Sequence, residues 1–352
     1  MNSLLAPAMA LMNRLSYAWK FCLISALCFI PLVVVSGLLV HQAWDRVQAS
    51  RHALDSMHIL RQLVQLIPDA ERVRGLDIAA FHLGVGDEGA VLEQRSQEVR
   101  QRIISGLQAV VIEGNSAEAR ELNEQRDALV AAYRETATAS LRNRGQMSTQ
   151  AHVDLLSLLT FSAAYSGLSH DYDRDVRQLM DLLVNHAPQV TSTVGLGRAT
   201  GSYSIGLGYL NSDASRYMDY VLEEIQRLGG QYVQAQAVLQ QPSLQSLRAS
   251  AAASVESLER VAEIFEEQVI LASSFDDTWD DFFQTVTLEM NKTYDFSHAV
   301  LDHLQQALDQ RLSAGNRSMT LLVTALAVIM VLIIWLYLGF YFSTRQTIGE
   351  LS

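Results

Sequence analysis

The chain has 352 residues, a formal net charge of −12, 49% hydrophobic residues and only 5 prolines. Bulk acidity with just two lysines among the 26 basic residues excludes a nucleic-acid partner, which would need basic patches against phosphate. Few prolines and long apolar-periodic stretches favour helices over a turn-rich β fold, and the two cysteines, Cys22 and Cys28, both fall in one apolar run and cannot staple a folded domain.

Residues 1–20 carry Arg14 and Lys20 and no acid, as expected of a cytoplasmic arm. The twenty residues from Phe21 to Val40 hold no charged side chain. At 1.5 Å per residue they cover roughly 30 Å, one hydrocarbon core, and 21–41 is read as a first transmembrane helix. Trp19 and Trp44 flank it at interfacial positions. The run is too long for a signal-peptide core and no small-x-small cleavage site follows.

Residues 42–66 continue the span as a helix marked by Leu54, Met57, Leu60, Leu63, Val64 and Ile67. A second helix is expected over 90–112, and further ones near 116–142, 149–187, 213–240 and 243–272, with breaks at Gly84–Gly89, Gly114–Asn115, Asn143–Gly145, Gly206–Ser212 and Gln241–Pro242. Asp276, Asp277, Asp280 and Asp281 open the last helix, with Ser274 as the expected N-cap; carboxylates there meet the positive end of the helix dipole and need no metal. That helix shows one apolar stripe, Trp279, Phe283, Val286, Met290, Tyr294, Leu301, Leu304, Leu308 and Leu312, at the spacing of a bundle seam. It leads into Ser318–Thr344, 27 residues without a charge, whose 319–342 portion is read as a second transmembrane helix.

All but Glu350 of the 38 acidic residues lie between the spans, while the short flanks are basic. The positive-inside bias therefore places both termini in the cytoplasm and 42–318 outside the membrane, in the periplasm of a two-membrane bacterium.

An internal repeat organises the exported region. Residues 63–86 and 183–206 align without gaps at an offset of 120 and share Leu63/Leu183, Val64/Val184, Pro68/Pro188, Gly75/Gly195, Leu76/Leu196, Ala79/Ala199 and Gly86/Gly206. Each copy reads as a helix that ends or bends at its proline, followed by one whose Gly-Leu pair permits close helix approach. The expected fold is all-α: two transmembrane helices bracketing two four-helix bundles.

No constellation supports catalysis. Phosphate-cradling glycine loops, G-x-S-x-G and H-E-x-x-H are all missing from the sequence, so neither an enzyme nor a cofactor is expected. His298 and His303, five apart, suit solvent exposure better than a shared metal. The arginines beside the repeat glycines are the candidate site. Arg72 and Arg74 point roughly 200° apart on a helix, so one of them faces inward, and a buried guanidinium needs either an internal carboxylate such as Glu71 or Asp77 or a small oxyanion.

Ala70-Glu71-Arg72-Val73-Arg74-Gly75-Leu76, following Leu63-Val64-Gln65-Leu66, resembles the Glu-Arg-Gly signature of nitrate- and nitrite-sensing (NIT) domains. Val194-Gly195-Leu196-Gly197-Arg198-Ala199 resembles that family's second signature, and the 279–312 helix its closing helix. The resemblance implies two packed four-helix bundles in a homodimer, with Arg74 and Arg198 coordinating an anion; Arg72, beside the first signature, and Tyr203 are further candidate ligand-binding residues. Val73 splits the Glu-Arg-Gly signature here and Gly197 stands where the family has glutamate. Tyr203, Tyr209 and Phe161 make the surroundings more aromatic, which extends the expected ligands to small carboxylates. Residues 343–352 resemble the opening of a HAMP linker, implying a downstream cytoplasmic signalling module. The competing expectations are a module that reads a periplasmic binding protein and a membrane-anchored scaffold.

Overall fold

A computed structural model describes residues 17–84 and 86–349. Arg14 and the end of the HAMP-like tail lie outside the described residues. Among the described residues nine α-helices follow one another: α1 (Tyr17–Leu83), α2 (Asp87–Ala109), α3 (Ala117–Thr138), α4 (Leu141–Tyr165), α5 (Arg174–Asp181), α6 (Ala187–Leu207), α7 (Ser212–Ala235), α8 (Arg248–Phe265) and α9 (Trp279–Gly349). Short 3-10 and π turns join some of them, and no strand occurs among the described residues.

Several boundaries differ from expectation for identifiable reasons. Pro68 does not break α1, which runs through it. A proline inside a helix costs about 3 kcal/mol, but Leu63, Val64, Leu66 and Ile67 are all buried around it, and each fully buried side chain returns roughly 1.5–3 kcal/mol. Pro188 behaves as the repeat predicted: it occupies the first turn of α6, after a π segment at Leu182–His186. Helix α4 passes through Asn143–Gly145, and the break falls earlier, at Ala139 and Ser140. Gly145 serves packing: a Cβ there would lie 3.3 Å from Ile78 Cγ1. The expected 149–187 helix is interrupted where Gly167 adopts a left-handed φ of 77°, and Asp173 caps α5 by accepting the Asp175 amide.

At the start of α9 the cap is Thr278, not Ser274. Its hydroxyl accepts the Asp281 amide at 3.1 Å and donates to Asp281 Oδ2 at 2.7 Å. Ser274 instead bonds the side chain of Asp276, ahead of the helix. His298 and His303 are half-buried rather than solvent-facing, and burial pushes both imidazoles below their ordinary range.

The chain divides into two units, His52–Leu308 and the pair Met1–Arg51 with Asp309–Ser352. In the second unit the two apolar runs are long and apolar enough to cross a membrane. Their Leu27, Ile30, Leu38, Leu321, Val331 and Trp335 present their apolar surface outward, as lipid-facing residues do. Next to these runs Gly315 lets α9 approach α1, since a Cβ there would lie 3.2 Å from Val47 Cγ2.

Within His52–Leu308, α3 packs on α2 and α4, and α7 on α6 and α8. One continuous hydrophobic core runs through the unit. Helices α1 and α6 lie side by side and parallel: Gly195 abuts Glu71, Ala199 abuts Gly75 and Gly206 abuts Leu83. Both end at a left-handed glycine, Gly84 (φ 75°) and Gly208 (φ 76°). The two helices thus touch at an offset of about 124, which sets Arg74 level with Arg198 across the seam.

Candidate functional site: a buried cationic cluster

The α1–α6 seam carries charge through the middle of the core. Arg74 and Arg198 are each 2% exposed and Glu71 is 0% exposed. Isolated charges at such depth are prohibitively costly, so each must be held by partners. Arg74 is ion-paired through Nη2 with Glu71 on its own helix, and donates to Ser192 Oγ (3.0 Å) and to the Ser192 carbonyl (2.6 Å) on α6. His152 of α4 brings Nε2 to 2.8 Å from Glu71 Oε1, an ion-pair distance without the alignment of a hydrogen bond.

Arg198 is held differently. Its Nη1 donates to Thr287 Oγ1 of α9 (2.7 Å), its Nη2 to the backbone carbonyl of Glu71 (3.2 Å), and its guanidinium lies 4.1 Å from the centroid of the Phe283 ring. These are neutral partners. Among the described residues no carboxylate forms an ion pair with Arg198, and Nε of both Arg198 and Arg74 lacks a hydrogen-bond partner. Burial pushes the Arg198 guanidinium down to about 10, against the pull of Tyr294 and Glu71. The carboxyl of Glu71 is affected in two senses. Burial alone would raise it, but Arg74, His152 and Arg198 together outweigh burial and hold it below the usual carboxylate range.

Glycine makes the cluster possible. A Cβ on Gly195 would lie 2.4 Å from Glu71 Oε2 and 3.1 Å from Arg74 Nη2, so only a hydrogen there leaves room for the carboxylate. Beside the cluster, a cavity of about 10 Å³ is lined by Val64, Ile67, Pro188, Thr191, Tyr294 and Ser297, among others; it is about the size of one water. The Tyr294 hydroxyl is buried there without a hydrogen-bond partner.

A second buried pair adjoins on α2. Arg100 donates to both oxygens of Asp77 (2.9 and 2.7 Å), and Ser96 donates to the same carboxylate. This pair is balanced in charge. Burial, which exceeds the help of Arg100, raises the Asp77 carboxyl.

The expected site residues therefore separate. Arg74 and Arg198 converge on Glu71. Arg72, on the other face of α1, has a side chain 36% exposed, 3.8 Å from Asp69. Tyr203 is buried, but it stacks on His82 at 4.0 Å and forms no hydrogen bond to either arginine among the described residues. Sequence reasoning named Glu71 only as an internal partner and missed His152, Ser192 and Thr287. The available signal was a histidine in phase with the apolar face of α4, four and seven residues from the 0%-exposed Ser148 and Leu159. Among the described residues no group of three or more His, Cys, Asp or Glu side chains is placed to hold a metal ion. Compared with known proteins, the chain matches no family model, no curated protein and no solved structure.

Proposed function

We propose that this chain is the sensory and membrane portion of a bacterial transmembrane receptor. Residues 42–318 form two four-helix bundles on the periplasmic side of the inner membrane and detect a small anion, nitrate- or nitrite-like or a small carboxylate. The observation that carries this reading is Arg198: a guanidinium sealed in the core, hydrogen-bonded to neutral partners only, beside an Arg74 whose charge Glu71 already meets. Two guanidinium cations against one carboxylate leave a buried positive charge, and an anion is the group that compensates it. Tyr294, with an unpartnered hydroxyl beside Thr191, adds a donor on the α9 side.

The two apolar segments supply the anchor, and the residues shared by 63–86 and 183–206 support a duplicated bundle. Helix α9 carries both Thr287 and the second apolar segment, which offers a route for a ligand-driven change to leave the bundle. A ligand shifts such an equilibrium only by its differential affinity for two states. By resemblance to NIT domains the receptor is a homodimer, and its HAMP-like tail leads to a cytoplasmic signalling module; the chain itself is not an enzyme.

Calorimetric titration of the detergent-solubilised chain with nitrate, nitrite and acetate tests the reading. A saturable heat with at least one anion, weakened tenfold or more by Arg198→Ala and by Arg74→Ala, is expected. Affinity unchanged by both substitutions, or no heat with any anion, would remove the site and favour a module that reads a periplasmic binding protein.

A further inference from the structure

The role of Glu71 goes beyond that of a salt-bridge partner. Its carboxylate is fully buried and sits where side chains from three helices meet: the guanidinium of Arg74 on α1, the imidazole of His152 on α4 and, through coulombic attraction, the guanidinium of Arg198 on α6. The phenols of Tyr133 on α3 and Tyr294 on α9 also sense its charge, and burial keeps both neutral by raising them. Asp77 and Arg100 form a separate ion pair whose charges also act on Tyr133. Space for the carboxylate is reserved by Gly195 across the seam. A side chain so placed does what a bound oxyanion would do: it presents two oxygens to a guanidinium and an imidazole in a water-excluded pocket.

We propose that Glu71 is a built-in anion that determines ligand charge. It fills one of two anion places around Arg74, His152 and Arg198, and its fixed negative charge leaves the second place for a single further negative charge. Removing it opens the first place to an external oxyanion and lets the cluster accept two. That the second place serves an external ligand rests on the proposed function; that Glu71 fills the first does not.

Chemical rescue of the full chain in detergent separates the two statements. Glu71→Ala leaves a carboxylate-sized gap beside uncompensated cations, and loss of one partner of a buried pair is expected to lower the unfolding temperature by about 5 °C or more. Sodium formate, against sodium chloride of equal ionic strength and pH, is expected to restore at least half of that loss in a saturable manner. Wild type, its first place occupied, gains less than half as much from formate. Equal gains from formate and chloride in Glu71→Ala would overturn the proposal.

Should Glu71→Ala fail to fold, Glu71→Gln keeps the shape and removes the charge. A carboxyl held below its unfolded value stabilises at pH above the ordinary carboxylate range and loses that contribution as pH falls through the folded value. The unfolding temperature of wild type is then higher than that of Glu71→Gln at pH 7, and the gap closes on acidification. A gap of zero at pH 7, or one that widens on acidification, contradicts the proposal. Formate rescue in a protein whose wild type binds no anion would sink the proposed function and leave this assignment standing.

Discussion

At the scale of single residues, two glycines placed alike in the repeat have opposite meanings. A Cβ on Gly195 would collide with the Glu71 carboxylate, whereas a Cβ on Gly75 would stand 3.4 Å or more from Phe283, Arg198 and Ala199. Gly195→Ala therefore has to expel a buried carboxylate or push the α1 and α6 helices apart, and a loss of about 2–4 kcal/mol is expected. Gly75→Ala meets ordinary contacts and gains helix propensity, so its effect lies between neutral and about 1 kcal/mol stabilising. Urea denaturation of both variants checks the pair, and equal destabilisation would show that Glu71 does not set the spacing. The importance of the arginines and glycines was legible because glycine is anomalous inside a helix and a guanidinium is anomalous inside a core. Their partners were not, since Ser192, Thr287 and His152 are ordinary in sequence and gain meaning only when three distant helices meet.

Among the elements, the apolar stripe of α9 and the two long uncharged helical runs were read directly, because a 3.6-residue periodicity and an unbroken uncharged run are local properties. Helix ends were harder. Asn143–Gly145 looked like a break, and the structure uses that glycine for contact with Ile78 instead. Gly167 looked like any other glycine and ends a helix through a left-handed φ. Pro68 is overridden by the apolar side chains packed around it. The cap of α9 gives a direct test. Thr278→Ala removes a hydroxyl that serves the Asp281 amide and carboxylate and should cost about 1 kcal/mol. Ser274→Ala, outside the helix, should change stability by less than about 0.5 kcal/mol. Thermal or urea unfolding distinguishes them, and the reverse ranking would return the helix start to Ser274.

For the whole molecule, two helices long and apolar enough to cross a membrane accompany a charge left over in the core. Topology is checked with a cysteine at Asp213, whose side chain is 89% exposed. In Asp213→Cys, a membrane-impermeant maleimide is expected to label intact spheroplasts; labelling only after lysis would place 42–318 in the cytoplasm. The expected double bundle rests on a sequence repeat at offset 120, whereas the contact between α1 and α6 sets the arginines and the left-handed glycines side by side at an offset of 124.

The central claim is that the surplus charge of Arg198 is met by an external anion. The most direct measurement is the unfolding temperature of the whole chain in nitrate, nitrite, acetate and chloride at equal ionic strength, for wild type and Arg198→Met. An anion that binds only the folded state adds about 2.7 kcal/mol at a hundredfold excess over its Kd. A saturable rise is expected for wild type in at least one oxyanion. No such rise is expected for Arg198→Met, whose apolar side chain leaves no cation to compensate. Identical anion dependence in the two proteins would contradict the claim.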